Sequence, residues 1–276
     1  MILVTGASGN VGGELVGVLA AAGRPVRALI RDTEAFEARP GVEVVTGDLN
    51  RAETLTGALD GVESVFLLGG FADMRGVLAR IRSAGAGHVV LLSSRSVAGG
   101  DPANAVVAMH QDSEAAVRGS GVGWTILRSS GFMSNTFEWV PQLRDGDEVH
   151  APFAEVGIAV IDPYDIASVA AAVLTDPEYH GRHLQISGPE ALRPADRLAT
   201  LARVLGRPLT FRAQPDAEAR AEMSRTVPER YVDAFFRFFS DGDFDDAPVL
   251  PTVEVVTGRP ARTFEDWATA HAGAFS

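Results

Sequence analysis

Over roughly the first 130 residues, short unbroken apolar runs alternate with stretches whose apolar positions recur every three or four residues. The short runs are MILVTG, PVRALIR, VEVVTGD, SVFLLGG, HVVLLSS and WTILRSS. Segments such as VFLL and VVLL have no polar interruption, the pattern of a strand buried on both faces. Between them, Asn10–Gly23, AETLTGALDG, ADMRGVLARIRSAG and DSEAAVRGSG carry helical spacing. Strands alternating with helices predict βαβ units with right-handed crossovers, and hence a parallel sheet with helices on both faces.

After residue 130 the pattern loosens. FMSNTFEWVPQLRDGDEVHAPF holds turns and scattered aromatics. VGIAVIDPYDIASVAAAVLTD reads as strand, turn and amphipathic helix, RHLQIS as a short strand, PADRLATLARVLG as a helix and PLTFRA as a strand. Arg220–Ser240 is helical with a break near Pro228, and TFEDWATAHAGAF closes the chain as a helix. No internal repeat or low-complexity linker divides the halves. The expected architecture is α/β: a Rossmann-like, doubly wound parallel sheet over residues 1–130 and a smaller, irregular α/β substrate lobe over 131–276. Residues 156–190 are expected to return elements to the first body, with a cleft between the two.

Composition narrows the function classes. The 276 residues carry a net charge of −12 and show no basic cluster. Nucleic-acid binders draw most of their affinity from phosphate contacts, so no direct nucleic-acid partner is expected. The absence of cysteine excludes disulfides and thiolate chemistry. All 24 basic residues are arginine, so no step can use a lysine amine. No basic leader precedes the first strand, and no apolar run approaches the ~18 residues of a membrane span. A soluble cytoplasmic protein, monomer or homodimer, with no membrane partner is the expectation. No residue set has metal-ligand spacing: His180 and His183 (HGRH) lack a completing acid, and Asp162 and Asp165 are expected to cap the following helix. No GxSxG nucleophile elbow is present.

The chemistry-bearing motif comes first in the chain. In VTGASGNVGG, Gly6, Gly9 and Gly12 stand three apart between a strand and a helix. Such a turn tightens at the first glycine, lets backbone approach a pyrophosphate at the second and packs helix against sheet at the third. The helix N-terminus then presents N–H groups and a positive dipole end to the phosphates. Gly6, Ser8, Gly9, Asn10, Val11 and Gly12 are the candidate cradle.

The GxxGxxG spacing resembles the short-chain dehydrogenase/reductase superfamily. VRALIRD, VEVVTGDL, HVVLLSS, SGVGWTILRSSGFMSN and TGRPARTFEDWATAHAGAF narrow the resemblance to its NmrA-like atypical branch, along nearly the whole chain. That branch includes type-2 quinone reductases, ether and isoflavone reductases, and redox-sensing regulators. The resemblance implies a nicotinamide dinucleotide, with Asp48 and Leu49 at the adenine, and Leu68, Gly69 and Gly70 under the nicotinamide ribose. Ser93 is expected to face the cofactor. Arg31 and Asp32 stand together where an arginine favours a 2′-phosphate and an acid a 2′-hydroxyl. Arg31 favours NADP(H) over NAD(H).

Relatives in the wider superfamily use Ser, Tyr and Lys, the last two as YxxxK. Here there is no lysine, and Tyr164, Tyr179 and Tyr231 lie outside the matching helix. The matching positions hold His110 and Glu114, which share a helix face at i and i+4. Glu114 would raise the pKa of His110, or orient it through one ring nitrogen. Ser94 matches the serine that binds the substrate carbonyl. Ser129-Ser130 replaces a common Pro-Gly in the loop expected beside the nicotinamide.

Of the aromatic residues, only Phe36, Phe66, Phe71 and Trp124 precede residue 131. Phe132, Phe153 and Phe235 are candidates for lining an apolar or aromatic substrate. Tyr231, Phe235 and Phe239 share a helical face. These features lead to an NADPH-dependent reductase of a quinone or enone-like acceptor. The alternatives are an NADP(H) sensor acting on a protein partner, or an isomerase or cyclase on the same fold.

Overall fold

The computed structural model describes residues 1–32 and 39–275. Phe36 lies outside them.

Seven parallel strands form the main sheet in the order β3-β2-β1-β4-β5-β6-β8. In chain order these are β1 (Ile2–Val4), β2 (Val26–Ile30), β3 (Val42–Thr46), β4 (Ser64–Leu68), β5 (His88–Ser94), β6 (Gly123–Ser129) and β8 (Arg182–Ile186). A second, two-stranded parallel sheet pairs β7 (Glu148–Ala151) with β9 (Thr210–Ala213). The helices of the first 130 residues are α1 (Asn10–Ala21), α2 (Met74–Ser83), α3 (Ser96–Gly99) and α4 (Ala105–Arg118). Then follow α5 (Val140–Asp145), α6 (Pro163–Thr175), α7 (Pro194–Leu205), α8 (Asp216–Met223), α9 (Glu229–Phe239), α10 (Thr252–Thr257) and α11 (Phe264–Ala270).

Strand periodicity sorts the core into two layers. Ile2, Val4, Val90 and Leu92 face one side, where Leu15 and Leu19 of α1 pack with Ile166 and Val173 of α6. Leu3, Val89 and Leu91 face the other, against Val77, Leu78 and Ile81 of α2 and Val117 of α4. β8 pairs with β6, so the main sheet takes its last strand and helix α6 from the second half of the chain. A separate core of Met133, Trp139, Leu201, Phe264 and Trp267 holds the second lobe together. Strand order reverses between β1 and β4, and open parallel sheets bind ligands at the carboxyl ends of such a switch point.

Several elements depart from the sequence expectation. AETLTGALDG forms two short 3₁₀ turns, Ala52–Leu55 and Gly57–Leu59, rather than one helix. Their buried Leu55, Ala58 and Leu59 keep the helical spacing of apolar contacts, while Gly57 breaks the helix. VGIAVI is tied by isolated bridges, Ile158 to Leu192 and Ile161 to Phe132, rather than by a ladder. α4, whose end DSEAAVRGSG marks, begins at Ala105, where Asn104 caps it by accepting the Val106 N–H at 2.9 Å. Asp162 does cap α6, accepting the Tyr164 N–H. Asp165 does not: it is fully buried, pairs with Arg259 at 2.8 Å and accepts the Arg262 N–H. His180 and His183 diverge, the first packed at a tilt on His88 and the second against Trp124. Among the described residues no acid or histidine cluster could hold a metal, and no helix is long and apolar enough to cross a membrane.

Candidate active site

The glycine turn sits at the switch point. Thr5 N–H bonds to the Phe66 carbonyl at 3.1 Å, and Leu68 N–H bonds to Thr5 Oγ1 at 3.1 Å. The turn after β1 and the loop after β4 are therefore fixed to each other. Gly6 adopts φ +63°, and a Cβ there would lie 2.5 Å from Leu68 Cδ1. A Cβ on Gly12 would lie 2.2 Å from the Gly6 carbonyl oxygen. That contact is how closely α1 approaches the turn. Ser8, Gly9 and Asn10 are exposed. The first turn of α1 has no capping side chain and no acid, which leaves its N–H groups and dipole available to an anion. A pyrophosphate fits beside the exposed turn of Ser8, Gly9 and Asn10, because the free N–H groups of the α1 N-terminus open there with no acid against them.

Gly69 and Gly70 continue from β4 toward α4. Gly70 N–H bonds to Ser113 Oγ at 3.0 Å, and Gly70 has φ +87°. A cavity of about 670 Å³ opens beside Gly70, lined by Phe71, Arg75, Met109 and Tyr231 among others. Arg31 is exposed just past β2. Asp48 spends one oxygen locally, accepting from both the backbone and side-chain amide of Asn50. The Asn50 N–H holds its carboxyl below the ordinary range. Leu49 is buried behind it.

At the end of β5 the two serines part. Ser93 is buried and donates to Glu114 Oε1 at 2.8 Å. Its hydroxyl points under the sheet toward α4, not to the open edge expected of a cofactor contact. Ser94 is half-buried, with Oγ 3.0 Å from Ser96 Oγ and accepting the Ser96 N–H. It stays at the strand end.

Glu114 is fully buried and does not pair with His110. Arg128 of β6 takes both its oxygens, at 2.8 and 2.7 Å, and Arg118 adds a contact at 3.0 Å. Burial alone would raise this carboxyl, but the bonds from Arg128 and Ser93 and the Arg128 charge hold it below the usual range. His110 is half-buried and its Nδ1 has no partner among the described residues. Burial lowers its pKa, and the Glu114 charge only partly offsets this. The shift is downward and favours the neutral imidazole, the reverse of the raised pKa that is one of the two roles expected of Glu114. The signal missed in the sequence was Arg128, a charge inside the apolar strand WTILRSS.

The loop after β6 takes its shape from polar contacts. Ser130 Oγ donates to the Ala159 carbonyl at 2.6 Å, and Gly131 N–H bonds to Asp246 Oδ2 at 3.0 Å. Phe132 packs half-buried on the α1/α6 core. Phe153, at φ +56°, lies against Phe236 and Phe239, each 5.1 Å between centroids. Phe235 is half-buried in α9 with no ring partner among the described residues.

A switch-point glycine cradle on a seven-stranded parallel sheet defines a Rossmann-type dinucleotide-binding protein. The NmrA-like family profile matches residues 1–269, and the chain belongs to that family. It is 42% identical over 281 residues to the (4-alkanoyl-5-oxo-2,5-dihydrofuran-3-yl)methyl phosphate reductase of Streptomyces griseus, covering 100% of this chain and 99% of the relative. It is 36% identical over 286 residues to the NAD(P)H azoreductase of Xenophilus azovorans, covering 100% and 99%. The fold superposes on an NADPH-dependent quinone oxidoreductase from Escherichia coli with TM-score 0.79 at 22% identity, covering 98% and 99%. With named reductases matching it end to end, the protein is an NAD(P)H-dependent reductase of this family.

Proposed function

We propose that the protein uses NADPH to reduce an apolar, conjugated small molecule, an enone-like acceptor ahead of a quinone. The observation that carries the reading is the Gly6–Gly12 cradle, kept at full closeness in a chain that matches reductases along its length. The Streptomyces griseus relative is named for the phosphate ester of an unsaturated lactone, whose conjugated ring favours the enone class.

Gly6 through Gly12 would hold the pyrophosphate, and Arg31 the 2′-phosphate. Leu68, Gly69 and Gly70 would support the nicotinamide end. The bound reduced nicotinamide supplies the hydride. As negative charge grows on the acceptor oxygen, Ser94 donates a hydrogen bond and neutral His110 offers its N–H. Neither needs the Tyr-Lys pair, because a conjugated acceptor already delocalises the charge it receives. Glu114 acts through structure: it fixes α4, and with it His110, against β5 and β6.

Incubating the protein with NADPH and a panel of enones and quinones, and following the reduced-nicotinamide absorbance, tests the reading. Oxidation coupled to acceptor reduction is expected. Tight NADPH binding with no turnover on any acceptor would instead establish a sensor. Ser94→Ala and His110→Ala should each lower kcat by roughly tenfold or more while leaving NADPH affinity within about twofold. Unchanged rates would remove both residues from the site. Arg31→Gln should weaken NADPH binding about tenfold and leave NADH nearly unaffected, as for one lost charge-assisted bond. Equal losses for both cofactors would refute the 2′-phosphate role.

A further inference from the structure

The segment between α9 and α10 crosses the carboxyl edge of the main sheet as a strap. The Asp246 carbonyl accepts the Ala159 N–H at 2.9 Å. Leu250 N–H bonds to Ser187 Oγ at 2.9 Å, just past β8. Between these anchors lies a buried ion pair. Arg95, the residue after Ser94, is 5% exposed, and Asp246 is 9% exposed. Arg95 NH1 lies 3.0 Å from Asp246 Oδ1 and donates to the Pro248 carbonyl at 3.0 Å. The other Asp246 oxygen accepts the Gly131 N–H. Arg95 N–H bonds to the Ser129 carbonyl at 3.0 Å. One carboxylate thus joins the turn that carries Ser94, the loop after β6 and the strap.

Simple closure does not call for charges here. A buried ion pair is desolvated at a cost, and apolar residues of equal volume often hold a joint as well. What a carboxylate adds is a directed bond to backbone from one oxygen, Oδ2 to the Gly131 N–H, while Oδ1 holds Arg95 by charge alone. Ser129 and Ser130 precede Gly131, so this loop lacks the φ restraint that a proline would supply. The Gly131–Asp246 bond supplies a restraint in its place.

We propose that Asp246, seated on Arg95, is a positioning residue for hydride transfer: it sets the Ser130–Gly131 loop and the Ser94 turn against each other at the mouth of the site. The proposal rests on the reductase reading for its kinetic consequences only. Misplacement of reacting groups by about 1 Å can lower a rate by about 100-fold, so a loop joint matters here. Burial pushes the Asp246 carboxyl up to about 6, against the pull of the Gly131 N–H and the Arg95 charge, and Asp245 beside it adds to the rise. Arg95 faces it from the β5 turn, Asp245 from the strap and Ser130 from the β6 loop. Because the carboxyl binds its proton more tightly in the closed joint than when opened to water, the joint is held more firmly as pH falls through about 6.

Backbone hydrogen exchange over residues 129–133, corrected for intrinsic rates, tests this without turnover. In the wild type, protection should rise about fourfold between pH 7.5 and 5.5. Asp246→Asn should lose the pH dependence. Arg95→Met/Asp246→Leu removes both charges and keeps volume, so it should fold, yet show low protection at both pH values. Kinetically, that double variant should lose about tenfold or more in kcat with NADPH affinity within twofold. The His110→Gln protein should keep a change in kcat near pH 6 that disappears when Asp246→Asn is added. Protection independent of pH in the wild type, or full kcat in the double variant, would overturn the proposal. Should no acceptor be turned over, the exchange result still decides it, so failure of the reductase reading is told apart from failure of this one.

Discussion

Gly12→Ala is expected to weaken NADPH binding by at least about 100-fold and to destabilise the fold by roughly 1–3 kcal/mol, the range for overpacking a close contact. The new Cβ would lie 2.2 Å from the Gly6 carbonyl oxygen and 2.6 Å from its carbon. Both are backbone atoms, so no side-chain rotation relieves the clash. Either α1 lifts from the sheet or the turn swings outward. The second route is opposed by the bonds from Thr5 to Phe66 and from Leu68 to Thr5 Oγ1. Each route moves the helix N-terminus away from where the pyrophosphate would lie. Losing two charge-assisted bonds, at about 1.5–3 kcal/mol each, accounts for a drop of that size. Gly9 is the internal control. Its Cβ would stand 3.3 Å from the Gly6 oxygen, and its φ of −92° is ordinary. Gly9→Ala should therefore leave the melting temperature nearly unchanged and act on cofactor affinity alone. Calorimetric titration with NADPH and thermal melting of both variants measure the contrast. Wild-type affinity in Gly12→Ala would remove the cradle from the cofactor site.

The same contrast shows which parts of the molecule were legible in sequence. The glycine turn was, because three glycines between a buried strand and a helix leave few other uses. The main sheet was, because unbroken apolar runs such as VVLL fit only an interior strand. The two 3₁₀ turns at 52–59 were not: apolar spacing alone does not separate a helix from two tight turns that bury the same three residues. Nor was the β7–β9 pair. EVHA does alternate, with Val149 and Ala151 buried, but its partner lies about sixty residues away across turns and acids. At the site, the i,i+4 spacing placed His110 and Glu114 on one helix but carried no information about a third residue. Arg128 reaches the carboxylate from a strand, and its bidentate geometry wins over the imidazole. Ser93 was misjudged for the same reason, since alternation along β5 says that Ser93 and Ser94 face opposite ways without saying which way holds the acid.

Removing that acid should therefore disturb the fold more than the chemistry. Glu114→Ala is expected to cost roughly 3–5 kcal/mol, the penalty for leaving a buried partner charge uncompensated. The charge left behind is Arg128, 17% exposed at the side chain; Arg118, 40% exposed, can turn to water. Arg118→Ala should accordingly cost no more than about 1 kcal/mol. Glu114→Leu/Arg128→Met should recover most of the loss, because nothing charged then remains under the sheet. The pH dependence has a definite sign. The carboxyl is held below its ordinary range in the fold, so its contribution is complete above its unfolded pKa of 4.5 and is lost as pH falls through the lower folded value. The gap between wild type and Glu114→Ala should be flat from pH 8 to about 5 and close in stronger acid. Denaturant unfolding at several pH values measures it. A gap below about 1 kcal/mol at neutral pH would show that other contacts fix α4 to β5 and β6. If the gap is found, comparing kcat in the double variant with wild type separates the two roles of the cluster. Recovered stability with lowered kcat means that the Ser93–Glu114–Arg128 bonds set the placement of His110, since the apolar pair restores packing but not direction.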